Sequence, residues 1–284
     1  MKQVGIIGVG LMGGSLGLAL KRRAPDLKVV AYARRVETRE AAFSIAAADS
    51  VVDTPQQAAR GSDLIVLCVP VLKLAEMAQA CLPGLEPGTV LTDVGSTKHD
   101  VIAAMAPVLE GSGVEFIGSH PIVGSEETGI EVAREDLYQD ATVVVTPLIG
   151  SSPDAVSRTV TFWEILGSKV QVMTPQAHDA IVARTSHLPH LVAAALAGAV
   201  CRDPEDIAPL CGSGFRDTTR IASGSAEIWH DIVRTNRSAI QSELDAFTAT
   251  IDRLRKLIDD EDYEGVHQFL DECRARRKKV FTSE

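Results

Sequence analysis

The chain has 284 residues, of which 45% are hydrophobic and 23% are charged, and its formal net charge at pH 7 is −10. At about 150 residues per domain, this length fits one large or two modest domains. The composition is that of a folded globular protein and excludes a disordered chain. Because the charge is negative, we expect neither nucleic acid nor an anionic membrane as a partner.

The five cysteines are scattered and form no C-x-x-C pair or zinc-type spacing. This usage predicts reduced thiols, a cytoplasmic location and no metal site. The apolar stretch that ends at Leu20 resembles a signal peptide, but glycines interrupt it and Lys21, Arg22 and Arg23 follow it. We therefore reject a signal peptide. No apolar run reaches the length of a membrane span, since residues 191–201 form only a short one.

Strand and helix patterns alternate through the first 173 residues. Predicted strands cover residues 4–7, 29–33, 64–69, 90–94, 115–117, 142–145 and 169–172. Predicted helices cover residues 12–21, 38–47, 101–109 and 155–166. This alternation favours an α/β fold with a doubly wound, mostly parallel sheet.

After Pro175 the strand signals stop, and residues 177–200 read as an Ala-rich helix interrupted by Pro189. A longer helix follows, with apolar residues spaced alternately by four and three from Ile240 to Ile258. That seam indicates either an amphipathic helix packed inside its own domain or a helix–helix dimer contact. Residues 263–273 predict a last short helix, followed by a basic tail over 274–279.

A G-x-G-x-x-G motif at Gly8, Gly10 and Gly13 follows the first strand and opens the first helix. In this position the motif predicts a dinucleotide site: Gly8 permits the turn, Gly10 lets the backbone approach a pyrophosphate, and Gly13 allows close helix–strand packing. The helix N-terminus offers free N–H groups to the phosphates. We therefore expect a Rossmann-like domain over residues 1–174 and an all-α substrate and dimerisation domain over 175–284.

The end of the second strand indicates which nucleotide binds. An NAD site places an acid there to hold the ribose 2′-hydroxyl, whereas this chain has Arg34 and Arg35 and no acid before Glu37. Two arginines suit a 2′-phosphate, so NADP is expected over NAD, with solvated arginines as the alternative. The expected cofactor-binding residues are Gly8, Gly10, Leu11, Met12, Gly13, Arg34, Arg35, Val69 and Pro70.

Four polar segments carry residues that an ordinary core does not need, at 93–98, 118–126, 186–190 and 212–220. The first two follow predicted strands, where ligands bind in open α/β sheets. Together with the N-terminal glycine motif and in this order, G-S-H-P-I-x-G-x-E, S-H-L-P-H and G-F-R-D-x-T-R resemble the prephenate/arogenate dehydrogenase family of tyrosine biosynthesis. The resemblance covers essentially the whole chain. It implies oxidative decarboxylation of a cyclohexadienol, either prephenate or L-arogenate, with NADP or NAD, in a homodimer formed through the helical domain.

The resemblance also implies residue roles. His120 is expected to be the catalytic histidine on the ring hydroxyl, and Ser96 to orient that hydroxyl and the histidine. Arg220 is expected to bind a substrate carboxylate, with His187 and Asp217 lining the pocket and Glu126 near its entrance. Trp229 either closes the pocket or fills the core, His190 is expected to be structural, and Arg216 is a candidate ion-pair partner of Asp217.

The residue types fit this chemistry without the family. Removing the proton from the ring hydroxyl lowers the barrier to hydride loss, and a neutral imidazole is a suitable acceptor near pH 7. An arginine fork aligns a carboxylate. One rival is a β-hydroxyacid dehydrogenase or imine reductase; hydroxyacid enzymes of that type rely on a lysine in the helical half, but this chain has none between Lys169 and Lys256. Another is a non-catalytic NADP-binding dimer.

Overall fold

A computed structural model describes residues 1–123 and 127–282 of the chain. The strands are β1 Gln3–Ile7, β2 Lys28–Tyr32, β3 Ser50–Val52, β4 Leu64–Leu67, β5 Val90–Asp93, β6 Glu115–Phe116, β7 Gly118–Pro121, β8 Thr142–Thr146 and β9 Lys169–Val172. The α-helices are α1 Leu11–Arg23, α2 Val36–Ser44, α3 Pro55–Ala59, α4 Leu74–Cys81, α5 His99–Leu109, α6 Pro153–Ile165, α7 Pro175–Val182, α8 Leu188–Val200, α9 Pro204–Ile207, α10 Ser213–Thr219, α11 Ala226–Thr235, α12 Arg237–Asp259 and α13 Tyr263–Phe281.

Six parallel strands form the main sheet in the order β3-β2-β1-β4-β5-β6. β1 and β4 are buried along their whole length, as the continuous apolar runs of their sequence require. The strand order reverses between β1 and β4, and the carboxyl ends at such a switch point form the crevice in which ligands bind. The expected doubly wound α/β fold is confirmed.

A second sheet was not expected. β7, β8 and β9 form it, with β7 antiparallel to β8 and β8 parallel to β9. The chain leaves β6, which pairs with β5, and after Ile117 pairs with β8 instead. Gly118 permits this change of partner, because a Cβ there would lie 2.6 Å from the Thr146 hydroxyl. His120 therefore lies inside strand β7, whereas the sequence placed it after a strand that ends at residue 117.

The helix predicted over 177–200 forms, but in three parts. A π-helical turn over Ala183–His187 separates α7 from α8. Pro189 lies in the first turn of α8, and its missing N–H prevents a regular α-helical bond across this point. In a regular helix of 3.6 residues per turn, His178 and His187 would point to opposite sides. The π turn changes that register, and such turns are frequent at functional sites.

Contacts divide the described chain into two compact units, which meet between Arg237 and Ser238 in the sequence. The predicted seam lies on α12, where Ile240 is buried while Ile251 and Ile258 are 46% and 55% exposed. α13 continues to Phe281, so the basic residues 274–279 belong to a helix and not to a tail. The boundary at 174/175 stays a prediction. Among the described residues, no helix has both the length and the apolar character to cross a membrane.

Candidate active site

The glycine turn closes tightly against its own strand and against β4. Gly8 has a φ of +97°, a conformation that favours glycine, and a Cβ on it would lie 2.4 Å from the Cys68 carbonyl oxygen and 3.0 Å from the Val69 side chain. A Cβ on Gly13 would lie 1.9 Å from the Gly8 carbonyl oxygen. Gly8 and Gly13 are therefore required by the packing of the turn itself.

Gly10 differs from the other two glycines of the motif. Within the described chain, no atom lies within 4 Å of the position that a Cβ on Gly10 would occupy. Gly10 is also the N-cap of α1, without a side-chain cap, so the first-turn N–H groups of Leu11 and Met12 are available to a ligand. Open space beside uncapped N–H groups at a positive helix end fits a pyrophosphate.

Arg34 and Arg35 are exposed where β2 ends and α2 begins. Arg39, which the sequence analysis overlooked, donates to the Ala33 and Arg34 carbonyl oxygens at 2.9 and 3.2 Å and pairs with Asp53. Three arginines therefore lie between the end of β2 and the first turns of α2. Pro70 is exposed and precedes a 3-10 turn, Val71–Lys73, beside the glycine turn.

A buried ion pair lies under β7. The Lys98 ammonium donates to Asp93, and both side chains have no exposed surface. Lys98 also donates to the Ser119 carbonyl oxygen at 2.9 Å, while Asp93 accepts the Ser119 N–H at 3.0 Å and the Gly95 N–H at 2.9 Å. The backbone N–H and carbonyl groups of Ser119, the residue before His120, are thus held by Asp93 at the end of β5 and by Lys98 at the start of α5.

His120 begins a chain of side-chain hydrogen bonds. Its Nδ1 lies 2.8 Å from Nε2 of His178, and Nδ1 of His178 lies 2.7 Å from an Asp179 carboxylate oxygen. The same carboxylate accepts the backbone N–H groups of Lys98 and His99, each at 2.8 Å. His178 and Asp179 are 1% and 4% exposed. These hydrogen bonds therefore link strand β7, helix α7 and the start of α5.

His187 belongs to the same network through Asn236. The Asn236 amide nitrogen lies 2.8 Å from the Asp179 carbonyl oxygen and 3.1 Å from Nδ1 of His187. Since a carbonyl oxygen can only accept, the amide group donates to both, and His187 carries its proton on Nε2. That Nε2 is buried and has no hydrogen-bond partner among the described residues. An unpartnered buried donor is suited to a ligand acceptor.

Trp229 packs on both histidines of the S-H-L-P-H segment. Its ring stacks on His190 with a centroid distance of 3.5 Å and meets His187 edge-on at 5.9 Å. Gly224 leaves room for this stack, because a Cβ there would lie 2.7 Å from the Trp229 indole nitrogen. The half-buried tryptophan thus forms an aromatic wall beside the unpartnered His187 donor.

The structure does not tie every expected site residue to this network. Ser96 is half-buried and precedes Thr97, whose hydroxyl bonds to Thr235 at 2.8 Å. Asp217 and Arg220 are exposed, on α10 and on the 3-10 turn after it, both of which pack against α8. Within the described residues, no bond joins Ser96 or Asp217 to His120 or His187. Glu126 lies outside the described residues.

His120 and His187 are both neutral at pH 7. Burial is the main cause that holds the pKa of His120 well below its usual value near 6.5, and the neighbouring His178, Lys98 and His187 act in the same direction. Burial lowers the pKa of His187 to about 4, although the Asp179 charge opposes it. A neutral imidazole can accept a proton, so this site can perform general-base chemistry.

Comparison with known proteins agrees with this geometry. The models of the prephenate dehydrogenase nucleotide-binding and dimerization domains match residues 16–172 and 174–272. Cyclohexadienyl dehydrogenase of Zymomonas mobilis is 33% identical over 285 residues, 99% of this chain and 97% of that protein. The chain belongs to the prephenate dehydrogenase family.

Solved structures of this family show the same fold. Prephenate dehydrogenase from A. aeolicus, in complex with hydroxyphenyl propionate and NAD+, has a TM-score of 0.91 at 30% identity, covering 99% of this chain and 98% of that one. Synechocystis arogenate dehydrogenase has a TM-score of 0.83 at 30% identity, covering 98% and 99%. The expected function, NAD(P)-dependent oxidative decarboxylation in tyrosine biosynthesis, is confirmed at the level of the family.

Sequence reasoning about this prephenate dehydrogenase homologue missed His178, Asp179 and Asn236, besides Lys98 as a buried cation. The adjacent pair His178 and Asp179 was a visible signal in a helix otherwise rich in Ala. Asn236 gave no signal, because a single asparagine between two helices reads as an ordinary helix end. Lys98 lay within a segment already singled out, but a lysine in a loop usually remains solvated.

Proposed function

We propose that the chain oxidatively decarboxylates a cyclohexadienol that carries two carboxylates, prephenate or L-arogenate, with His120 as the proton acceptor. The observation that carries the proposal is the neutral His120, bonded through Nδ1 and without a partner on Nε2 among the described residues. It lies beside the crevice, because β7 packs on β5, which pairs with β4, and β4 borders the glycine turn.

In the proposed reaction His120 takes one proton from the substrate and later returns it. When bound, a nicotinamide would supply the acceptor for the hydride that leaves the ring carbon carrying the hydroxyl. His120 takes the hydroxyl proton as the carbon–oxygen double bond forms, and the carbon–carboxylate bond then breaks as CO2 leaves. Its electrons make the ring aromatic and leave a phenolate oxygen, to which His120 returns the proton. The protein therefore has to orient one O–H bond and hold one proton.

The remaining pocket residues are assigned to substrate binding. The Nε2–H of His187 donates to a substrate oxygen, and Trp229 provides an apolar wall for the ring. Arg220 binds a side-chain carboxylate, Asp217 lines the pocket with His187, and Ser96 orients the reacting hydroxyl. These roles follow the family motifs, and the unpartnered His187 donor supports one of them from geometry.

The proposed cofactor is NADP in preference to NAD. Arg34 and Arg35 stand where an NAD site has an acid, and Arg39 adds a third guanidinium held by carbonyl oxygens. A 2′-phosphate gains charge-assisted bonds there, whereas a 2′-hydroxyl gains little.

A homodimer is the proposed assembly. The matched dimerization domain covers α12, and its apolar seam is partly exposed in the single chain. A boundary near residue 174 between a cofactor-binding and a substrate-binding part remains part of this proposal. The five unpaired cysteines support a reducing, cytoplasmic location.

The deciding experiment assays cofactor reduction with NADP or NAD crossed against prephenate or L-arogenate. In His120→Asn we expect kcat to fall roughly 10²–10⁴-fold while NADP binding is kept. His230→Asn is the matched control, because its imidazole is 68% exposed beside Asp231. An unchanged kcat in His120→Asn refutes the assignment, and a wild-type chain that binds NADP without any turnover is the non-catalytic dimer.

A second experiment tests the nucleotide preference. In Arg34→Ala and Arg35→Ala the Kd for NADP should rise about 10-fold, since each loses charge-assisted bonds of about 1.5 kcal/mol. The Kd for NAD should change little. Arg60→Ala is the control, because Arg60 is exposed at the opposite, amino end of β4. Equal weakening of both nucleotides contradicts recognition of the 2′-phosphate.

A third measurement uses the lowered pKa of His120. A base works in its deprotonated form, so kcat/KM should stay level as the pH falls from 8 to below 6.5 and should drop only at lower pH. A drop centred at pH 6.5 or above contradicts a desolvated, neutral His120.

A further inference from the structure

We propose that His178 and Asp179 are positioning residues that fix the tautomer of His120, so that Nε2 is its proton acceptor, and that they hold the abstracted proton in place. This inference deepens the proposed function and rests on it for the identity of the reaction. It concerns two residues outside the motifs that define the site, and it follows from the direction of each hydrogen bond.

Asp179 sets the direction of the whole chain of bonds. Its carboxylate accepts two backbone N–H groups, from Lys98 and His99, at the start of α5. Although burial raises the pKa of Asp179, the bonds from His178, His99 and Lys98 outweigh it and keep this carboxyl ionised. An ionised carboxylate can only accept, so Nδ1 of His178 must carry a proton and donate across 2.7 Å.

The position of the proton on His178 in turn sets the position of the proton on His120. When Nδ1 carries the only ring proton of His178, its Nε2 has a lone pair, and this atom faces Nδ1 of His120 at 2.8 Å. In that arrangement His120 donates from Nδ1, which leaves its own lone pair on Nε2. Nε2 is thus the atom prepared to accept the substrate proton, and the alternative tautomer would place two lone pairs against each other.

The same hydrogen bonds hold the proton on His120 between its removal from the substrate and its return. When His120 is protonated, the bond from its Nδ1 to His178 becomes a charge-assisted one, which is shorter and stronger than a neutral bond. Asp179 supplies the negative charge at the far end, and its two backbone bonds keep it from moving towards the ring. The proton therefore stays at the site until the phenolate oxygen takes it back.

A purely structural role is the alternative, because His178 and Asp179 also tie α7 to β7 and α5. The first test uses an observable that does not depend on turnover. Wild-type protein labelled with ¹⁵N in its seven histidines reports by NMR which nitrogen of each neutral ring is protonated.

At pH 8 we expect His120 and His178 each to be protonated on Nδ1 and unprotonated on Nε2, with the signals assigned by their loss in His120→Asn and His178→Gln. His120 protonated on Nε2 overturns the proposal. Because the spectrum does not depend on the reaction, its outcome is separate from a failure of the proposed function, which the cofactor-reduction assay detects.

Kinetics supply the second test. His178→Gln keeps an amide oxygen that can accept from Nδ1 of His120, whereas His178→Leu keeps no acceptor. We expect kcat to fall about 10-fold in the first variant and at least about 100-fold in the second, with KM changed less than about 2-fold, as when a histidine base loses its orienting group. His230→Gln, an exposed histidine also followed by an aspartate, should keep wild-type kcat.

The ranking of the two variants separates the roles. An equal loss in His178→Gln and His178→Leu, or a loss that appears in KM alone, overturns the positioning role. Binding of NADP by each variant reports that it is folded. If His178→Leu does not fold, the glutamine variant and the wild-type spectrum decide, because a glutamine variant with wild-type kcat also contradicts the proposal.

Discussion

At the glycine turn the chain presents backbone to its ligand, whereas around His120 it presents side chains that hold one another. The turn works because side chains are missing from Gly8, Gly10 and Gly13, and a Cβ on Gly8 or Gly13 would collide with backbone of the turn itself or of the residue after β4. The histidine network instead joins β5, β7, α5, α7 and the end of α11. The first depends on the backbone at the ends of neighbouring strands of one sheet, and the second exists only when side chains from several helices and strands have come together.

This difference teaches where each region is vulnerable. Adding a side chain to a glycine of the turn causes a steric clash. Removing one charged side chain from the buried network leaves its partner without an opposite charge. Three measurements, taken from the largest expected effect to the smallest, test that contrast.

Lys98→Met removes one partner of the buried ion pair and leaves Asp93 charged and without its cation. We expect a loss of about 3–5 kcal/mol in the free energy of unfolding, measured by urea denaturation, because a buried charge then lacks compensation. Adding Asp93→Asn to Lys98→Met should recover part of the loss. Lys256→Met breaks an exposed pair and should leave the urea midpoint unchanged. A Lys98→Met protein of wild-type stability would contradict a compensated buried pair.

A fall in pH should lower the stability of the protein through the histidine network, because His187 is buried in its neutral form. The pKa of His187 is about 4 in the folded chain and about 6.5 unfolded, so the unfolded chain binds the proton first as the pH falls. This contribution to the free energy of unfolding is fully present above pH 6.5 and is lost as the pH falls towards 4. At pH 5 the loss is about 2 kcal/mol. Thermal melting from pH 7 to 5 measures it.

A matched pair of variants identifies the residue behind the acid effect. His187→Gln should reduce the fall in melting temperature, whereas His230→Gln, at an exposed site, should not. If both variants melt with the wild-type pH dependence, buried neutral His187 is not its source.

Two alanines divide the glycine turn into its structural and binding parts. Gly13→Ala forces a Cβ to within 1.9 Å of the Gly8 carbonyl oxygen, so we expect a loss of stability of about 1–3 kcal/mol. Gly10→Ala points into open space and should cost less than about 1 kcal/mol, yet it should weaken cofactor binding at least about 10-fold by blocking the phosphate. The reverse pattern of effects would show that the roles of the two glycines have been exchanged.

The sequence predicted the parts that depend on neighbouring residues. Strand β9 and the start of β4 lie where the apolar runs predict them, and the glycine motif forms the expected turn. Short elements with weak patterns, β3, α3 and α4, were missed, since three to eight residues of mixed polarity carry little periodic signal. The second sheet was missed because the change of strand partner at Gly118 also depends on how β8 packs, and β8 lies further along the chain.

By itself the sequence determined the α/β order of the first part, the helical character of the rest and the family, because periodicity, turn chemistry and motifs are written in consecutive residues. Only the tertiary structure decided which nitrogen of His120 is bonded to another side chain. That choice depends on Asp179, on the backbone N–H groups of Lys98 and His99, and on His178, which residue order separates and the fold brings to within hydrogen-bond distance. A hydrogen bond has a direction, and a direction can be assigned only when both partners and their surroundings are in place.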